Sequence, residues 1–287
     1  MLRAAATTLV ALLTLGAAQA PVSDWQLVVL GIAQDAGIPH LSCRQPLCVS
    51  IRAGTRRAEK VSSLGLVNRT TGRAYIFDAT PDFNAQVHAL TGGTPPDGVF
   101  LTHAHIGHYT GLMYLGRESI GARAVPVYAT DKMLEFLDTN GPWSQLVALG
   151  NIERRPIAPD RVLALSGEVR VTAFRVPHRD EFSDTVGYRI EGPRHSALFI
   201  PDIDRWEKWD RNIRELVDRV DYAFLDGTFA SPGEVNRNID EIPHPMMPRT
   251  RELVRGARGK LWFIHINHTN ADIDAPDVVR EGATFAM

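Results

Sequence analysis

Four short apolar segments of this chain each end in a side chain that can bind a metal ion, and this feature restricts the possible folds. Short apolar runs bounded by turn residues indicate buried strands, and a His or Asp just past a strand gains little from burial. Strands packed in layers can present their ends at one rim, so the pattern predicts an α/β fold with a polar site there. The segments are 99–102 before His103, 174–176 before His178, 198–200 before Asp202 and 262–264 before His265.

The rest of the chain alternates between apolar runs and amphipathic stretches that close with Gly or Pro, without an internal repeat. This predicts a single α/β domain over residues 21–287. The predicted strands are residues 27–30, 64–68, 74–78, 99–102, 125–129, 169–176, 186–190, 197–200, 222–225 and 261–265. The predicted helices are residues 80–90, 130–140, 212–220 and 249–255.

The first 20 residues have the pattern of a secretory signal peptide. One positive charge at Arg3 precedes an apolar run over residues 4–15, and small residues follow at 16–20. The run is shorter than the roughly 20 residues of a membrane-spanning helix. We expect cleavage after Ala18 or Ala20, a periplasmic or secreted protein, and no stable membrane insertion after the signal peptide is removed.

The charge balance bears on the class of partner. The formal net charge is -2, so there is no basic excess to hold a nucleic-acid backbone or an anionic membrane surface. We therefore expect a small-molecule substrate and no nucleic-acid partner.

Three histidines, His103, His105 and His108, lie within six residues directly after a predicted buried strand. Imidazole is the usual nitrogen ligand of zinc, and a catalytic zinc takes three protein ligands and leaves one position for water. An extended backbone points His103 and His105 the same way, and a turn through Gly107 brings His108 back toward them. The spacing predicts a metal site for zinc, with iron or manganese as alternatives.

The segment 102–111, Thr-His-Ala-His-Ile-Gly-His-Tyr-Thr-Gly, resembles the His-x-His-x-Asp-His signature of the metallo-β-lactamase superfamily. Segments 31–37, 77–82, 225–229 and 263–270 are similar to the pyrroloquinoline-quinone biosynthesis protein B group, whose relatives include cyclic-phosphate phosphodiesterases. The resemblance covers nearly the whole chain after the signal segment. It implies a four-layer αβ/βα sandwich with the metal ions at one edge of the paired sheets.

The resemblance also implies roles for individual residues. Asp202 is expected to bridge two metal ions and to take part in catalysis, with Asp204 as the alternative bridge. His244 corresponds to the proton-transferring histidine of related phosphodiesterases, and His268 is expected near the site without a metal contact. The other implied ligands are His103, His105 and His178 for the first metal, and His108 and His265 for the second.

Gly107 stands where the superfamily signature has an aspartate. A glycine supplies neither a ligand to the second metal nor a carboxylate to orient the attacking water. We therefore expect one tightly bound metal and a second site that is weak or depends on substrate.

The expected function is hydrolysis of a small ester, lactone, amide or phosphodiester by a water whose pKa falls from about 16 to about 7 on the metal. Carboxylates at Asp78 or Asp82 are expected to orient the ligand histidines. Two alternatives stay open: an iron-dependent oxidative enzyme related to quinone-cofactor synthesis, and a non-catalytic metal-binding protein.

The two cysteines of the chain, Cys43 and Cys48, allow three interpretations. Export would place them in an oxidising compartment, where they could form a disulfide. His40 lies three residues before Cys43, so the three residues could belong to a structural zinc site, although such a site normally has four ligands. Free thiols are the third possibility.

Overall fold

The computed structural model describes residues 24–234, 238 and 241–287, so the predicted signal segment lies outside the described residues. The strands, in chain order, are β1 Trp25–Gly31, β2 Ser63–Asn68, β3 Ala74–Phe77, β4 Gly98–Phe100, β5 Val125–Ala129, β6 Ile152–Pro156, β7 Val162–Ala164, β8 Arg170–Arg175, β9 Val186–Glu191, β10 Ser196–Ile200, β11 Tyr222–Asp226, β12 Lys260–Ile264 and β13 Thr284–Ala286. They form two mixed sheets, in the orders β13-β1-β2-β3-β4-β5-β6 and β12-β11-β10-β9-β8-β7.

Helices cover the outer face of each sheet. The α-helices are α1 Pro46–Arg52, α2 Phe83–Thr91, α3 Ile106–Tyr109, α4 Asp131–Thr139, α5 Trp143–Ala148, α6 Ile213–Val217 and α7 Met247–Leu253. Short 3-10 helices occupy Thr110–Leu115, Trp206–Lys208 and Pro232–Glu234. Among the described residues, no helix has the length and apolar character needed to cross a membrane.

Alternate residues of the strands enter different apolar cores, as the two-residue period of a strand requires. In β4, Phe100 packs between the two sheets, whereas Val99 packs under the helices of the first sheet. In β10, Phe199 faces the other sheet, whereas Leu198 and Ile200 face the layer that contains α6. Strands buried on both faces read as continuous apolar runs. The predicted four-layer αβ/βα sandwich is confirmed.

All ten predicted strands are present, with ends shifted by a few residues, and so are the four predicted helices. Sequence reasoning missed the three edge strands β6, β7 and β13: four of the five residues of β6 are exposed, and β7 and β13 have only three residues each. It also missed the short helices α1, α3 and α5.

The strand order brings the predicted site residues to one edge. β3 and β4 are parallel neighbours, as are β10, β11 and β12. The predicted residues His103, Asp202 and His265 follow β4, β10 and β12. Two further carboxylates lie at the C-terminal ends of strands: Asp78 follows β3, and Asp226 is the last residue of β11.

Candidate metal centre

The first cluster of the site contains four side chains whose ligand atoms all lie within 4.8 Å of one another: His103, His105, His178 and Asp202. His105 Nδ1 lies 2.9 Å from His103 Nε2 and 3.3 Å from His178 Nε2. Asp202 Oδ2 lies 3.4 Å from His103 Nε2 and 3.2 Å from His178 Nε2. Three imidazole nitrogens and one carboxylate oxygen that converge in this way fit a divalent metal ion such as zinc.

The second cluster contains His108, His265, Asp202 and a residue that the sequence analysis did not select, Asp35. Asp35 Oδ1 lies 3.3 Å from His108 Nε2 and 3.6 Å from His265 Nε2. Asp202 Oδ2 lies 3.8 Å and 3.9 Å from the same two nitrogens. Within the described part of the chain, Asp35 Oδ1, His108 Nε2 and His265 Nε2 are buried and make no hydrogen bond. Buried polar atoms are normally paired, so these atoms fit a second metal ion.

Asp202 belongs to both clusters, which is the position expected of a bridging carboxylate. The sequence alternative, Asp204, does not reach either cluster. Its Oδ2 accepts a hydrogen bond from Lys208 Nζ at 2.7 Å, and its Oδ1 accepts one from its neighbour's backbone.

Burial keeps two histidines of the first cluster in the form that binds a metal, whereas at His108 burial is outweighed by the carboxylates of Asp78 and Asp35, which raise the pKa well above its ordinary value. Burial lowers the pKa of His103 well below its ordinary value, and partial burial lowers the pKa of His105. Neutral imidazole is the metal-binding form. Burial would raise the pKa of Asp202, but the nearby His178 and His244 hold it well below its usual range, so Asp202 is ionised.

Several buried groups orient the ligand histidines. Asp78 Oδ2 lies 2.7 Å from His108 Nδ1, and the backbone N–H of Thr102 donates to Asp78 Oδ1. On the other side of the site, Thr228 Oγ1 lies 3.1 Å from His265 Nδ1. Of the two carboxylates expected in this role, Asp78 therefore contacts a candidate ligand. Asp82 does not, because it accepts a hydrogen bond from a backbone N–H at position 61.

Two residues of this region have a left-handed backbone, which non-glycine residues rarely adopt. The φ angles are 69° at Asp78 and 64° at His265. Backbone strain of this kind is often found at functional sites.

His244 belongs to neither of these two clusters but to a third candidate group, with Asp202, Asp226 and His265, whose ligand atoms also lie within 4.8 Å of one another. Its Nδ1 atom is 2.8 Å from Asp226 Oδ2 and 3.3 Å from Asp202 Oδ1. Burial would lower the pKa of His244, but the charges of Asp226 and Asp202 outweigh burial and raise it to about 9. His244 also lines a cleft of about 270 Å³, together with Gln34, Arg179, Phe229, Asn267 and His268.

Cys43 and Cys48 form a disulfide in this structure, which is one of the three interpretations that the sequence left open. His40 stacks on His268 with ring centroids 4.5 Å apart. His268, rather than His40, lies close enough to both sulfur atoms to share a metal ion with them if the disulfide were reduced.

Comparison with known protein families agrees with this geometry. Residues 73–266, which run from β3 to β12 and contain every candidate ligand of the two clusters except Asp35, match the family model of the beta-lactamase superfamily domain. The chain belongs to this superfamily. The chain is 26% identical to coenzyme PQQ synthesis protein B from Methylobacterium nodulans. The match covers 85% of this chain and 90% of that protein.

Solved structures place the superfamily member in the same fold. The structure of zinc-bound PqqB from Methylobacterium extorquens superimposes with a TM-score of 0.77 and 23% identity, covering 91% of this chain and 100% of that one. A diphosphatase of the PhnP family superimposes with a TM-score of 0.69 and 20% identity, covering 92% of this chain and 97% of that one. The metallo-β-lactamase fold and the likeness to the PqqB group are therefore confirmed.

Proposed function

We propose that this protein is a metal-dependent hydrolase that acts on a small ester, lactone, amide or phosphodiester. The observation that carries the proposal is the first cluster, in which His103, His105, His178 and Asp202 meet within 4.8 Å at the end of the strands. This donor set suits zinc, and iron or manganese would accept the same ligands. The zinc in the PqqB structure from Methylobacterium extorquens supports zinc as the first candidate.

A divalent metal held by these residues would lower the pKa of a bound water molecule and would polarise the substrate oxygen that gains charge. The protein residues position the reaction around it. Asp202 is ionised and buried, so its carboxylate can hold both clusters at a fixed separation.

His244 is suited by its position to donate a proton to the leaving group. Its Nδ1 is engaged by Asp226, and the ring lines the cleft beside Asp202. The Nε2 atom is the one left to serve the substrate. A histidine fixed by a carboxylate in this way keeps one tautomer and one ring orientation, which general acid–base catalysis requires.

The cleft beside His244 favours a polar substrate. Arg179 supplies a positive charge at this cleft, Glu241 supplies a negative one, and Gln34 and Asn267 supply amide groups. A guanidinium group pairs well with carboxylate or phosphate oxygens. Because one basic and one acidic side chain line the cleft, anionic and neutral polar esters and phosphodiesters are both tested first.

The test is hydrolysis of a panel of aryl esters, lactones, amides, linear phosphodiesters and cyclic phosphodiesters by the protein loaded with zinc, manganese or iron. We expect turnover of at least one class, loss of turnover after chelation, and loss in His103→Ala. The matched control is His88→Ala, which changes an exposed histidine on α2 and should keep full activity. Turnover that persists in His103→Ala would disprove the proposed mechanism.

A second candidate is an oxidative step in the synthesis of a quinone coenzyme, with iron in the site. It is favoured by the similarity to coenzyme PQQ synthesis protein B over most of both chains. Elemental analysis of protein purified from its native host distinguishes the two candidates, because iron supports the oxidative step and zinc supports hydrolysis.

Export from the cytosol also belongs to the proposal. The Cys43–Cys48 disulfide supports it, because disulfides persist in oxidising compartments. Mass spectrometry of protein from the native host should find a mature N-terminus near Gln19 or Pro21, and an intact Met1 in cytosolic protein would disprove export.

A further inference from the structure

In the second cluster, one carboxylate comes from a segment outside the superfamily signature. The signature supplies its aspartate from the position that Gly107 occupies, whereas here Asp35, on the loop after β1, lies against the two second-cluster histidines. We propose that Asp35 replaces the missing signature aspartate and completes a second metal site with His108, His265 and Asp202. The inference rests on the metal centre of the proposed function, although it does not depend on the reaction.

The contacts of Asp35 point to a metal ligand rather than to a surface carboxylate. About a quarter of its side chain, 27%, is exposed, yet the Oδ1 atom itself is buried and makes no hydrogen bond within the described residues. Nε2 of His108 and Nε2 of His265 lie 3.3 Å and 3.6 Å from this oxygen, and both atoms are also buried without hydrogen bonds within the described residues. Three buried polar atoms that converge without a hydrogen bond form a donor set that a metal ion between them would satisfy.

A side chain at position 107 would occupy the space that Asp35 fills. A Cβ atom built on Gly107 would lie 2.4 Å from Asp35 Oδ1 and 2.6 Å from Asp35 Cα. Real Cβ atoms do not approach other heavy atoms so closely. Gly107 is not among the glycines with positive φ, so space rather than backbone conformation requires glycine here. A side chain at position 107 and the present position of Asp35 are therefore mutually exclusive.

Backbone hydrogen bonds hold the Asp35 loop in place on both sides. The N–H of Ala33 donates to the carbonyl of Lys60 at 2.8 Å, and the N–H of Gln34 donates to the carbonyl of Ile266 at 2.9 Å. The second bond ties the loop to the residue that follows His265. A ligand fixed by its backbone loses little conformational freedom on binding, so this loop can deliver Asp35 in the required geometry.

The experiment is metal titration of chelator-treated protein with Zn²⁺ alone, followed by calorimetry and elemental analysis. We expect the wild type to bind two zinc ions per chain. Asp35→Ala should bind one zinc ion tightly. The dissociation constant of the second zinc ion should rise by about 100-fold or more, which exceeds the loss expected from a residue that only orients a ligand. Asp35→Asn, which keeps the shape, should give a smaller loss at the second site alone.

Matched variants define the comparison. His265→Ala should lose the same second zinc ion as Asp35→Ala, whereas Asp204→Asn should keep both, because its carboxylate pairs with Lys208. Gly107→Ala should weaken the second site without affecting the first, because the added methyl group displaces Asp35.

One bound zinc in the wild type, two tightly bound zinc ions in Asp35→Ala, or loss of both ions in that variant would each overturn the inference. The retained first ion also shows that the variant is folded. Because these readouts are metal stoichiometries, a protein that binds two zinc ions but hydrolyses nothing would support Asp35 as a ligand while contradicting the proposed hydrolase.

Discussion

Nδ1 of His108 lies 2.7 Å from Oδ2 of Asp78, and neither side chain is exposed to solvent. The hydroxyl of Thr102 donates to the same carboxylate oxygen at 3.0 Å. The carboxylate thus fixes the imidazole ring and leaves Nε2 directed at the second cluster. The structure therefore ties the metal centre to β3 through Asp78, whose own backbone has a left-handed conformation.

Asp78→Asn should weaken metal binding at the second cluster by about 10- to 100-fold, because an outer-shell carboxylate orients the ligand histidine and raises its basicity. Competition with a chromophoric chelator measures this affinity. The control is Asp131→Asn, an exposed carboxylate at the start of α4 that is expected to have no effect. Unchanged affinity in Asp78→Asn would show that Thr102 alone orients His108.

His178→Ala should sharply lower the metal content of the first cluster, because a site with three histidines loses its geometry when one is removed. Elemental analysis after identical dialysis measures the content, and His88→Ala is the exposed control on α2. A full metal complement in His178→Ala would mean that another histidine is the ligand.

Removal of the metal ions should lower the thermal stability of the protein. Without metal, the buried Nε2 atoms of His108 and His265 have no hydrogen-bond partner among the described residues. A metal at a thousandfold excess over its Kd would add about 4 kcal/mol to the free energy of unfolding. Scanning calorimetry of chelated and reloaded protein should show a shift of several degrees that the double variant His103→Ala/His265→Ala lacks.

His244→Gln should lower kcat by about 100- to 10,000-fold while both metal ions remain bound, if His244 protonates the leaving group. Substrates whose leaving groups need no protonation should be affected less. Asp226→Asn should give a smaller loss, since Asp226 orients His244 through a contact of 2.8 Å. Equal losses for good and poor leaving groups would contradict the role of His244 as a proton donor.

The cysteines should not react with a thiol reagent in denaturant unless a reductant is added, because Cys43 and Cys48 are paired. Replacing both with serine should lower the free energy of unfolding by about 2 kcal/mol, the value expected for closing so short a loop. Two free thiols together with an additional zinc ion would show instead that the sulfur atoms share a metal ion with His268.

The sequence alone determined the fold and selected most residues of the candidate metal centre. Strands buried on both faces leave continuous apolar runs, and their order along the chain can be read directly. The histidines at 103, 105 and 108 are adjacent in sequence, so their spacing carries the signal without a structure. His178, Asp202 and His265 could be selected because each follows a strand.

Only the tertiary structure shows that Asp35 lies at the candidate metal centre. It lies in a loop four residues after the end of β1, with no metal-binding residue next to it and no periodic pattern to mark it. Asp35 lies close to His108 and His265 only because segments that are distant in the sequence pack together. Local sequence patterns do not reveal such packing. The sequence showed that a carboxylate was missing at position 107, but the space that glycine leaves there is filled by a residue from another part of the chain.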